Sequence, residues 1–108
     1  MTDWTRVHAY QQHAYTQVFP ITSFLLAGTT SYKDTITTLK IDDTLTMEIE
    51  PTNKYDSGAI VIKSGLNICG YVPKDIKEKV ISFVPSKVKI IDKRRIHSEI
   101  YSIRVDIS

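Results

Sequence analysis

Residues 44–71 read TLTMEIEPTNKYDSGAIVIKSGLNICGY. Leu45, Met47 and Ile49 alternate with Thr46, Glu48 and Glu50, the period of two that marks a strand with one face buried. Pro51 ends that strand, because it has no N–H to offer a sheet ladder. Asn53, Asp56 and Gly58 then tolerate turn geometry, so residues 51–58 leave the sheet as a loop. Ala59 to Ile62 is an apolar run that re-enters as a more deeply buried strand, and Ser64-Gly65 is the next turn. Asn67 to Val72 returns as a third strand, in which Gly70 marks a bulge or a close approach of backbone. An aromatic face, a carboxylate and an amide, Tyr55, Asp56 and Asn53, therefore sit within four positions of a loop carried by two strands.

Outward from this centre the chain continues to read as β. Thr22 to Ala27 is a strand with Phe24 and Leu26 on one face and Leu25 and Ala27 on the other, stopped by Gly28. Ser31 to Lys40 is Thr-rich, and Ile36 and Leu39 at i, i+3 predict one short helical turn or an irregular crossover before the Asp42-Asp43 turn. Pro73 suits the first turn of a helix. Ile76, Val80 and Phe83 at i, i+4, i+7 form one apolar stripe of that helix, which ends before Pro85 and covers the core. Lys87–Ile91 and Ile100–Ile107 alternate as two closing antiparallel strands, with Lys93-Arg94-Arg95 expected at the solvated hairpin tip between them. The expected architecture is mainly β: a small OB-like barrel of about six strands, with one helix after the third core strand.

A specific set of residues carries a resemblance. A glycine after the first strand, the series Glu50, Pro51, Asn53, Tyr55, Asp56, Ala59 and Ile60, and then Gly70, Tyr71, Pro73 and Lys74 together resemble the HIRAN domain, from about Phe24 to the last strand. The resemblance implies an OB-like barrel that, in Swi/Snf-type fork-remodelling translocases, captures the 3′-hydroxyl end of single-stranded DNA. It implies that Tyr55 stacks on a terminal base and that Asp56 accepts a hydrogen bond from the terminal hydroxyl. Asn53 and Lys74 match two further positions of that site. The DNA-binding members carry a basic residue followed by an aromatic after the first-strand glycine. Here Thr30 and Ser31 occupy those positions, and Tyr32 and Lys33 follow one residue later.

With 108 residues the chain has room for one domain and one modest core: residues 21–108 as the barrel and residues 1–20 as an N-terminal extension, with one added strand near Tyr15 to Val18. The apolar content of 42% and charged content of 24% belong to a soluble globule. No apolar run approaches the roughly 18 residues of a membrane span, and Met1 to Pro20 lacks the pattern of a signal peptide. Cys69 is the only cysteine, which points to a reducing compartment and hence a cytoplasmic or nuclear protein. Placed in a strand, it reads as a small buried hydrophobe rather than a nucleophile. His8-Ala9-Tyr10 and His13-Ala14-Tyr15 repeat at a five-residue spacing that suits no usual metal site, so neither a metal nor a cofactor is expected.

Charge is unevenly distributed. Up to Asp56 there are four basic and seven acidic residues; after it there are ten basic and five acidic. A basic second half suits a polyanion, and such binding weakens with salt. Tyr55, Tyr32 and Tyr71 are available for base stacking, Asp56 for a terminal hydroxyl in preference to a terminal phosphate, and Lys74, with Lys33 and Lys63 secondary, for the phosphates behind the end. The reading is a non-catalytic module that binds 3′ ends of single-stranded DNA. Two alternatives stand beside it. One is a protein-interaction, adaptor or inhibitor module, partnered with a DNA-processing protein and holding an idle DNA pocket. The other is a metal-dependent nuclease using Glu48, Glu50 and Asp56, against which no E-x-K or H-x-H partner motif follows. No serine lies in a nucleophile-elbow glycine pattern either.

Overall fold

The alternation at the centre of the sequence becomes strand β2 (Thr44–Ile49). Leu45 and Met47 are buried, whereas Thr46 and Glu48 are half-buried on the outer face. Ile49, expected inward with them, is 44% exposed, because the strand ends there and the loop turns the chain away from the core. β3 (Ile60–Ser64) buries Ile60, Val61 and Ile62 in succession, so both of its faces are covered. β4 (Asn67–Tyr71) pairs with β3 in a register that shifts between Ile62 and Lys63, opposite Gly70 and Ile68, and so leaves Cys69 as the extra residue of a bulge.

The computed structural model describes residues 19–107; the repeat at His8–Tyr15 and the strand expected near Tyr15 to Val18 lie outside the described residues. β1 (Ser23–Leu25), shorter than the expected Thr22–Ala27, buries Phe24, and Leu26 follows it into the core. Gly28 adopts φ +74° and starts a 3-10 turn, Thr29–Tyr32, which leads into helix α1 (Lys33–Thr38). Ile36 and Leu39 are buried from this crossover, and the Asp43 carboxylate accepts the Lys40 N–H at 2.9 Å to close the turn into β2.

Between Pro73 and Pro85 the chain forms three short segments rather than the single helix expected: 3-10 turn Lys74–Ile76, helix α2 (Lys77–Val80) and 3-10 turn Ile81–Phe83. The tighter 3-10 winding, three residues per turn, rotates the stripe off one face. Val80 stays buried and Ile76 packs partly against the core, but Phe83 is 48% exposed.

β5 (Ser86–His97) and β6 (Ile100–Asp106) close the sheet. The basic cluster is therefore inside β5, not at the hairpin tip, which falls at Ser98-Glu99. Lys93 is held there: its ammonium donates to the Leu39 carbonyl at 2.8 Å and lies 4.6 Å from the Tyr101 ring centroid. Arg94 pairs with Asp92 at 2.9 Å.

The six strands are all antiparallel, in the order β1-β6-β5-β2-β3-β4, and form a curled half-barrel. Among the described residues its two edges meet at one bridge. Just beyond β1, Ala27 bridges Tyr71 of β4 through two backbone hydrogen bonds, Ala27 N–H to Tyr71 O at 2.8 Å and Tyr71 N–H to Ala27 O at 2.9 Å. Gly70 is what permits the approach, since a Cβ there would lie 2.7 Å from the Ala27 carbonyl oxygen. Met47, Ile62, Ile90, Ile103 and Val105 form the fully buried centre. Cys69 is wholly buried and burial pushes its thiol up to about 11, as befits a packed side chain.

Candidate functional site

Glu48, Val61 and Tyr71 are cross-strand neighbours on the outer face of β2, β3 and β4. Glu50 continues that face at the point where the chain leaves β2. Its Oε1 accepts the Tyr71 hydroxyl at 2.8 Å and the Asn53 Nδ2 at 2.9 Å. Burial first, and then the hydrogen bond to Glu50, raises the Tyr71 phenol well above its ordinary value. Glu50 thus ties β4 to the loop. Glu48 is engaged separately, with Lys63 at 2.8 Å, and among the described residues no three His, Cys, Asp or Glu side chains are grouped to hold a metal ion.

Local hydrogen bonds fix the loop. The Glu50 N–H donates to the Ala59 carbonyl at 2.8 Å and closes its base. The Asn53 carboxamide oxygen accepts two successive backbone N–H groups, from Tyr55 at 2.9 Å and Asp56 at 3.0 Å, the side-chain-to-backbone bonding for which Asn is favoured in turns. With both of those amides held, the Tyr55 side chain projects outward and is 91% exposed. Asn53 therefore positions its neighbours, and its carboxamide oxygen is already committed.

Asp56 is anchored from two sides. Oδ1 accepts the Gly58 N–H at 2.9 Å and Oδ2 accepts the Lys77 ammonium at 2.7 Å. The hydrogen bond from Lys77, and next that from Gly58, hold the carboxyl below its ordinary value of 3.8. Each carboxylate oxygen keeps acceptor capacity for a further donor.

These residues surround one pocket of about 260 Å³, lined by Tyr55, Asp56, Tyr71, Lys74 and Lys77 with Asn53 and small apolar groups, Ala27, Ala59, Val72 and Pro73. The bridge that joins the sheet edges brings Ala27 to it, and the turn at Pro73 brings Lys74. Five of the residues singled out from the sequence, Asn53, Tyr55, Asp56, Tyr71 and Lys74, meet here. Two do not line it. Tyr32 lies beside Tyr71, ring centroids 6.3 Å apart and tilted by 50°. Lys33 belongs to a separate depression formed by Thr30 to Thr35.

Two members escaped the sequence reading. From the sequence Glu50 is a candidate metal ligand, whereas its bonds make it the tie between strand and loop. Lys77 looked like the outer face of a helix, although its place three residues after Lys74, one helical turn away, was a signal that both could reach one site. Among the described residues no helix is long and apolar enough to cross a membrane. A family model described as HIRAN domain matches residues 21–107. No curated protein and no solved structure matches the chain.

Proposed function

The chain belongs to the HIRAN domain family, and on that premise we propose that it is a non-catalytic DNA-binding module that captures single-stranded DNA at a free 3′-hydroxyl end. The observation that carries this reading is the convergence of an outward Tyr55 ring, an ionised Asp56 and an exposed Lys74 on one pocket of about 260 Å³. Tyr55 stacks on the terminal base, an interaction worth about 1–3 kcal/mol and indifferent to sequence because every base has a π face. Asp56 accepts the hydrogen bond of the terminal hydroxyl on its remaining lone pairs. Lys74 neutralises the phosphate behind it. Tyr71 and the apolar floor exclude water beside the sugar, while Asn53 and Glu50 hold the loop in place before binding, so little ordering is required when the strand enters.

The test is fluorescence anisotropy at low salt with one labelled sequence in three forms: a linear single strand with a 3′-hydroxyl, the same strand circularised, and a blunt duplex. The linear strand is expected to bind about tenfold or more tighter than either. Equal affinity for line and circle would remove end recognition. Binding to none of the three would favour the second reading, a protein-interaction module with an idle pocket, for which the separation of Lys33 and Tyr32 from the pocket speaks.

A further inference from the structure

Lys77 changes the electrostatics that a lone Asp56 would impose on a strand end. Its ammonium lies 2.7 Å from Asp56 Oδ2, on the side of the loop where a Cβ built on Gly58 would come within 3.5 Å of it. The charged residues that line the pocket are Asp56, Lys74 and Lys77, a net charge of plus one. Both members of the Asp56–Lys77 pair line the pocket and are about a quarter exposed, at 28% and 26%, so an incoming group can reach them. An unpaired carboxylate there would repel a phosphate monoester. With its charge compensated, the pocket instead presents two ammonium groups, and Lys77 has two N–H bonds left after the one it gives to Asp56.

We infer that Lys77 is a specificity-determining residue of this pocket, one that lets it accept single-stranded DNA ends carrying a 3′-phosphate monoester as well as a 3′-hydroxyl. The inference rests on the end-binding reading above and extends it to the chemistry of the end. The terminal phosphate would take N–H bonds from Lys77 and Lys74 in the space that a hydroxyl leaves to water, and Asp56 would keep its Gly58 bond and its place. One ammonium acting on a phosphate dianion about 5 Å away in a water-like medium changes affinity about tenfold.

The experiment measures dissociation constants for one oligonucleotide ending in 3′-hydroxyl or 3′-phosphate, with the wild-type protein, Lys77→Met and Lys77→Arg. Wild type should bind the two ends within about threefold of one another. Lys77→Met, which keeps most of the aliphatic stem, should weaken the phosphate end about tenfold more than the hydroxyl end, and Lys77→Arg should restore the ratio. Thermal melts followed by circular dichroism check that both variants are folded, and the Arg variant keeps the test open if the Met variant is not. Tight binding of the hydroxyl end with rejection of the phosphate end by wild type, or a ratio unmoved in Lys77→Met, would overturn the inference and leave the end-binding reading standing. Failure of wild type to bind either end would overturn both.

Discussion

Replacing Gly70 with alanine should open the half-barrel at the one point where its edges meet. The new Cβ would stand 2.7 Å from the Ala27 carbonyl oxygen, 3.3 Å from the Leu26 Cβ and 3.4 Å from the Thr29 Cγ2. The first of these contacts is with backbone, which cannot swing aside as a side chain would, so Ala27 and Tyr71 must separate. Their two hydrogen bonds, 2.8 and 2.9 Å long, contribute about 0.5–1.5 kcal/mol each. Overpacking at the buried site adds about 1–3 kcal/mol. The sum, about 2–6 kcal/mol, is a large part of the roughly 5–15 kcal/mol that holds a domain folded, and at about 4–8 °C per kcal/mol it lowers the Tm by about 10 °C or more. Gly65→Ala is the control: that glycine has φ +62° with open space around its Cβ position, so it feels only the left-handed strain of about 1–2 kcal/mol. Urea unfolding followed by circular dichroism measures both variants, and amide hydrogen exchange at Ala27 and Tyr71 reports the bridge itself. If Gly70→Ala costs no more than Gly65→Ala and leaves those two amides protected, the bridge does not depend on Gly70.

Tyr55→Ala should leave the Tm unchanged, since the ring is 91% exposed, and should weaken strand-end binding by about 1–3 kcal/mol, roughly 5- to 150-fold; a fall in stability would show the ring to be packed. Lys74→Ala should weaken 3′-hydroxyl strands of every sequence alike and lower the slope of log affinity against log salt by about one, and an unchanged slope in a salt titration would remove Lys74 from the phosphate contacts. The Asp56 carboxyl should titrate below 3.8 in carbon-detected NMR, because Lys77 and Gly58 stabilise its ionised form. The sign follows from the depressed value: whatever the pair adds to stability is present in full above 3.8 and is lost as pH falls through the lower folded value. Lys77→Met should raise that midpoint, and a wild-type midpoint at or above 3.8 would show that the pair is not formed in solution.

The strands were legible because burial of one or both faces writes itself into the spacing of apolar residues. β2, β3 and β6 all follow from alternation or from a short apolar run, and Gly70 announced a close approach by lacking a side chain where a strand would carry one. The helical segment was less legible, since the i, i+4, i+7 pattern of Ile76, Val80 and Phe83 says nothing about 3-10 turns that rotate one of the three into solvent. Lys93 misled for a related reason. A basic cluster reads as solvated until a carbonyl, here that of Leu39 from a distant turn, is found to accept a hydrogen bond from the Lys93 ammonium.

Within the site the same division holds. The loop's local chemistry belongs to the sequence: Pro51 ends the strand, and Asn53 accepts the N–H groups two and three residues ahead, short-range bonds that accompany the outward Tyr55. The pairing of Asp56 with Lys77, the tie from Tyr71 to Glu50 and the arrival of Ala27 beside Tyr71 join residues 21, 21 and 44 positions apart. No spacing rule reaches across such separations, because they are bridged by the strand register and the curl of the sheet. The sequence by itself determined which side chains the loop presents; the tertiary structure alone decided which charges meet them, and with that the electrostatic character of the pocket.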